Sequence, residues 1–158
     1  MKHGLNTDKA GIRITRIPYE EPYHLRLFIE ASNGQLIGSL EYYCHARDLN
    51  TLGNQLLGFL GKKNEKIVYK LGSEKPEDNF AFLFSLQVIS LDTTGHSAIW
   101  LRLNNNSSPP WTEVCEFCIA TDVADVNRLG SLLVAFGKLD HRVLDWSVKD
   151  GILLEDVE

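Results

Sequence analysis

Leu25-Arg26-Leu27-Phe28-Ile29-Glu30-Ala31-Ser32-Asn33-Gly34-Gln35-Leu36-Ile37-Gly38-Ser39-Leu40-Glu41-Tyr42-Tyr43 is the stretch that decides the fold class. Leu25, Leu27 and Ile29 fall on one face of an extended chain, with Arg26 and Glu30 on the other. That period of two predicts a half-buried strand over 23–31. Asn33-Gly34 follows, and both residues tolerate positive φ, so the chain reverses there. Leu36, Leu40 and Tyr42 then restore the alternation over 35–43, and the segment reads as an antiparallel hairpin.

Upstream, 11–17 reads as another strand, with Ile12 and Ile14 in phase and Pro18 as its stop. Downstream the period changes. Leu49, Leu52, Leu56, Leu57, Phe59 and Leu60 make one stripe of a helix over 46–60. Gly61 suits its end, and Lys62 and Lys63 suit the negative pole beyond it. Gly53 and Gly58 each weaken such a helix by about 1 kcal/mol against Ala, so packing of the stripe must hold it.

Residues 66–71 alternate again, and 72–79 read as a polar loop. The run 80–91 carries Phe80, Phe82, Phe84, Leu86 and Val88 in one phase and Ala81, Leu83, Ile89 and Leu91 in the other. Apolar residues in both phases predict a central strand covered on both faces. Asp92-Thr93-Thr94-Gly95 turns the chain into a strand over 97–103, the Asn-rich loop 104–110 interrupts it, and 112–120 is a further strand. Thr121 or Asp122 caps a second helix over 123–139, striped by Val126, Leu129, Leu133 and Phe136. Residues 142–148, with Val143 and Trp146, read as one short last strand. The pattern contains no visible repeat and no interdomain linker.

Strands joined by short turns must be antiparallel, so the class is α+β rather than doubly wound α/β. The expected architecture is one domain over 1–158, with loosely ordered ends at 1–10 and 150–158. It would hold a single mostly antiparallel sheet of about six to eight strands, with two helices packed on one face. That face would bury Leu25, Leu27 and Ile29.

Composition agrees with a globular body: 158 residues, 44% apolar, 23% charged and 9% aromatic. A net charge of −5 argues against non-specific binding to phosphate backbones or anionic membranes. The expectation is therefore no nucleic-acid partner and no membrane partner. The first eight residues lack the apolar core of a secretory signal, and three cysteines are too few for a disulfide scaffold, so a cytoplasmic location is expected.

Each catalytic signature requires its residues at a set spacing. Neither a phosphate-cradling glycine loop, nor G-x-S-x-G, nor H-E-x-x-H occurs. Cys115-Glu116-Phe117-Cys118 has C-x-x-C spacing, but within a strand residues three apart face opposite ways, and small buried thiols are expected instead. Cys44 and His45 are adjacent and so diverge on a strand; with His96 they are the candidates for a site assembled only in three dimensions, in an enzyme or small-ligand binder. No catalytic, metal or cofactor-binding residue is assigned, and no cofactor is expected.

Charge is distributed unevenly: basic residues concentrate in 1–72 and carboxylates in 73–158, so the two parts have opposite net sign. An acidic surface steers a basic protein partner. Its candidate residues are Trp111, displayed after two prolines, with Glu113, Glu116, Asp150, Glu155 and Asp156. An oligomeric scaffold built on an exposed strand edge or the Trp111 loop is the other non-catalytic expectation, and the sequence does not set an oligomeric state.

The hairpin L-x-L-x-I…N-G, the helix 49–60, the strand–Asp92-Thr93-Thr94-Gly95–strand unit and the Thr121-Asp122 lead-in to the last helix together resemble small uncharacterised bacterial proteins. Some of those are similar to immunity proteins encoded beside wall-associated or polymorphic contact-dependent toxins. The resemblance covers roughly residues 23–136; the Asn-rich Pro109-Pro110-Trp111 loop and the segment after Leu139 depart from it. It implies a non-enzymatic protein that neutralises a toxin, and the acidic second half makes a basic toxin domain the expected partner.

Overall fold

The computed structural model describes residues 9–156. The chain runs β1 (Gly11–Glu20), β2 (His24–Ser32), β3 (Ile37–Cys44), α1 (Ala46–Leu57), β4 (Lys66–Gly72), β5 (Leu83–Ser90), β6 (His96–Asn104), β7 (Val114–Asp122), α2 (Val123–Phe136), β8 (Val143–Ser147) and β9 (Asp150–Leu154). The class is α+β, with every strand pair antiparallel.

The Asn33-Gly34 reversal forms as expected. Gly34 takes φ 95°, and the Asn33 side-chain oxygen accepts from the N–H groups of Gln35 and Leu36. Pairing of Leu27 with Tyr42 and Ile29 with Leu40 then puts all four side chains on the buried face. Each helix opens with a carboxylate three residues in that reaches back: Asp48 accepts from the His45 N–H at 2.7 Å, and Asp125 from the Asp122 N–H at 3.3 Å.

A single sheet was expected, and there are two. The orders are β3-β2-β1-β8-β9 and β4-β5-β6-β7. The strand after each helix crosses over: β4 follows α1 but pairs with β5, and β8 follows α2 but returns to β1. The helices consequently do not lie side by side on one sheet. They pack against each other, α2 touches both sheets, and one core collects the inner faces of all these elements.

The structure contains a repeat that the linear pattern hid. Pairs Ile12–Ala31 and Ile14–Ile29 in β1–β2 occupy the positions of Phe84–Leu103 and Leu86–Leu101 in β5–β6. Ile29–Leu40 and Leu27–Tyr42 likewise match Leu101–Phe117 and Ile99–Ile119. The correspondence continues into the helices, where Asp48, Asn50, Leu52, Gly53, Leu56 and Phe59 match Asp125, Asn127, Leu129, Gly130, Leu133 and Phe136 residue for residue. The chain is therefore two β-β-β-α-β units that exchange their last strands. A longer loop between β6 and β7 (105–113) than between β2 and β3 (33–36) breaks the spacing.

Three further expectations need correction. β1 runs through Pro18 to Glu20, because its pairing with β8 ends at Thr15 and its register with β2 slips beyond Ile17, so no ladder donor is needed at the proline. The chain beyond Asp150 is not a loose end up to Leu154: it folds back on β8 as β9, with Val143 opposite Leu154. Phe80 and Leu91 lie outside β5 and are exposed, whereas Leu83 and Ser85 give that strand its second buried face. The expected looseness of 1–8 concerns residues outside those described.

Candidate functional site

The repeat brings β3 and β7, one edge strand from each sheet, side by side. The equivalent positions Gly38 and Cys115 meet there: a Cβ on Gly38 would sit 1.9 Å from the Cys115 Sγ. No backbone hydrogen bond joins the two strands among the described residues. An open groove of about 290 Å³ lies there, lined by residues 37–39 and 112–115.

Its rim is apolar and acidic together. Ile37 (54% exposed) and its repeat counterpart Val114 (47%) flank the groove, and Trp111 (74%) stands on the loop leading into β7. Glu113 lines the groove directly. Glu116, one step along the exposed row of β7, accepts from the Trp100 indole N–H at 2.7 Å and from Arg102 at 3.1 Å. Arg102 also pairs with Glu74, whose carboxyl its hydrogen bonds, with that from Asn104, hold below the usual range. The Arg102 guanidinium is thus shared by two carboxylates, with Lys70 adding positive charge near Glu74, while Glu113 stands apart from it at the groove.

The loop carrying Trp111 is held by its asparagines. Asn105 donates to the Trp111 carbonyl and accepts from the N–H groups of Ser107 and Glu113. Asn106 reaches across to the carbonyls of Ser73 and Phe80. These side chains replace a ladder that Pro109-Pro110 could not extend.

Of the six residues singled out from sequence, Glu113 lines this groove, and Trp111 and Glu116 flank its lining residues 112–115 along the chain. Asp150 lies on β9, at the opposite edge of the first sheet from β3, and Glu155 and Asp156 follow it, exposed. The acidic residues thus form two separated regions. Ile37 and Val114 were missed because each sits in the solvent phase of its strand, where an apolar residue has no signal beyond its own exposure.

The thiols are not poised for chemistry. Cys115 is half-buried against Gly38, while Cys118, on the other face of β7, is exposed, contrary to the expectation that both be buried. Cys44 is buried, and burial followed by the nearby Asp48 pushes its thiol up to about 12. His45 directs its Nδ1 to the Tyr23 carbonyl, away from Cys44. His96 forms an exposed ion pair with Asp92 at 2.5 Å, at the start of β6. Among the described residues no three His, Cys, Asp or Glu side chains converge as metal ligands, and no helix is long and apolar enough to cross a membrane.

No protein-family model matches the sequence, and no curated protein does. Among solved structures, that of the plant transcriptional regulator PBF-2 is similar over 82% of this chain and 75% of its own, with 10% sequence identity and a TM-score of 0.46.

Proposed function

We propose that this protein is a non-catalytic protein-binding domain that receives a basic partner at the groove between β3 and β7. The observation that carries the reading is that exposed apolar Ile37, Val114 and Trp111 lie on and beside one groove with the carboxylates of Glu113 and Glu116. Aromatic and aliphatic anchors supply contact area, while carboxylates select positive partners and speed encounter. In its narrower form, this is a cytoplasmic immunity protein occluding a basic toxin domain, a reading supported by the acidic balance of residues 73–158.

The test is an unbiased peptide-display selection followed by titration of the enriched binders against wild type and a Trp111→Ala/Glu113→Gln variant. Enriched sequences are expected to carry Lys or Arg among apolar residues, to lose at least about tenfold in affinity for the variant, and to bind more weakly as salt rises. Binders without basic residues, or equal affinity for both proteins, would remove the reading. For the narrower form, cells expressing a neighbouring toxic domain should survive when this protein is co-expressed; continued killing excludes it.

A further inference from the structure

We propose, building on that reading, that the partner is an extended basic-apolar segment that adds as a strand to the open edge of β7. Of the four sheet edges, β4 and β9 carry defences against pairing, whereas β3 and the longer β7 do not. β4 carries Lys66 and Lys70 on its exposed row, and β9 is only five residues long with Asp150 at its start. Such lysines and short strands are the usual defences against unwanted pairing. β7 has neither: it is nine residues long, and its register with β6 is regular from Val114 to Asp122, without bulge, proline or lysine. Its backbone from 114 to 121 bonds to nothing but β6 among the described residues.

The side chains on the exposed row give the incoming strand its chemistry. Val114, Glu116, Cys118 and Ala120 are all exposed and follow one another along that row. Cys118 and Ala120 are small, so they leave the edge N–H and C=O groups accessible. Cross-strand neighbours pair best when apolar faces apolar and opposite charges meet. A strand laid beside β7 would therefore put apolar residues next to Val114, Cys118 and Ala120 and a Lys or Arg next to Glu116. Backbone hydrogen bonds would supply affinity and this alternate row specificity. A second copy of this chain is a poorer occupant, since it would bring the same carboxylates, Glu113 and Glu116, to the same edge.

The probe is a synthetic peptide, Val-Thr-Val-Thr-Lys-Thr-Val, ordered for antiparallel addition, with two controls: the same peptide N-methylated on alternate residues of its pairing edge, and one with Glu replacing Lys. Amide hydrogen exchange of the whole protein is followed residue by residue, with the Trp111 contribution to fluorescence, taken as the difference between wild type and Trp111→Phe protein, as an independent report of groove occupancy. Strand addition predicts slowed exchange at alternate amides of β7. It predicts at least about tenfold weaker binding by both control peptides. It also predicts recovery of binding when Glu116→Lys protein meets the Glu peptide. A Trp111 response with no β7 protection and full binding by the N-methylated peptide overturns strand addition while leaving the protein-binding reading intact. Absence of any binding at millimolar peptide overturns it too, and the display selection then judges the broader reading by itself. Protection of β7 that grows with protein concentration, without peptide, assigns the edge to a second copy and overturns it as well.

Discussion

Replacing Gly53 with Ala separates what a helix prefers locally from what its packing requires. In an isolated helix the change gains about 1 kcal/mol. Here α1 crosses α2 at Gly53 and Gly130, and a Cβ on Gly53 would meet the Val134 Cγ2 at 2.7 Å, the Gly130 carbonyl oxygen at 2.8 Å and the Val134 N at 2.9 Å. Two of those three neighbours are backbone, so relief requires the helices to move apart, along with the Leu52, Leu56, Leu129 and Leu133 side chains packed beside them. Overpacking of that kind costs about 1–3 kcal/mol, and contact with backbone favours the upper part of the range. After the propensity gain is subtracted, Gly53→Ala is expected to destabilise by about 1–2 kcal/mol, or about 2–8 °C in melting temperature for a chain of this size. Gly58 is the internal control. It ends the same helix in an αR conformation, and its nearest neighbours to a new Cβ are at 3.5 and 3.6 Å. Gly58→Ala is accordingly expected to stabilise by about 0.4–1 kcal/mol. Urea unfolding followed by circular dichroism reads both variants, and the Gly53→Ala/Gly130→Ala double variant should cost less than the two singles together, because one displacement of the helices serves both. If Gly53→Ala stabilises as much as Gly58→Ala, the close helix crossing is not present in solution.

Asp125 is buried and pulled two ways: burial opposes its ionisation, but hydrogen bonds from Arg128, Thr121 and the N–H groups of Lys149 and Asp122 prevail and lower its pKa. A lowered folded-state pKa contributes stability that is present above the unfolded value of about 3.9 and is lost as pH falls through the folded one. Asp125→Asn should thus cost about 3 kcal/mol at pH 7, with the deficit shrinking below about pH 4 in urea titrations; a pH-independent deficit would refute the assignment. The His96 imidazole is raised by its hydrogen bond and charge contact with Asp92, so its stabilising share holds at low pH and disappears as pH rises through that raised value. An NMR titration should give His96 a midpoint above about 6.5 that returns to it in Asp92→Asn. Coincident curves would mean the pair does not form. Ellman's reagent should find Cys118 first in the native protein and Cys44 only on unfolding; equal rates would contradict the burial of Cys44.

Elements were legible where short-range physics decides them. The turn at Asn33-Gly34, the hairpin phase of Leu25, Leu27 and Ile29, and the helix starts at Ala46 and Val123 follow from backbone freedom, alternation and capping carboxylates, all contained within a few residues. The duplication was also written in the chain, as Asp48-Leu49-Asn50-Thr51-Leu52-Gly53 and Asp125-Val126-Asn127-Arg128-Leu129-Gly130. It was obscured by the extra loop residues between β6 and β7, which shift the helix match out of step with the hairpin match. At the candidate site, Trp111, Glu113 and Glu116 could be marked by type and position. Their grouping with Ile37, more than seventy residues away, could not.

By itself the sequence determined which segments extend, coil and turn, and that the strands run antiparallel, because hydrophobic period and turn chemistry act between near neighbours. That β4 and β8 trade places, making two sheets rather than one, and that Gly53 and Gly130 are contact points rather than weak links, follows from long-range packing. A strand's partner is chosen among several edges of similar pattern, and that choice depends on packing across the whole core. The groove between β3 and β7 is a product of that same choice.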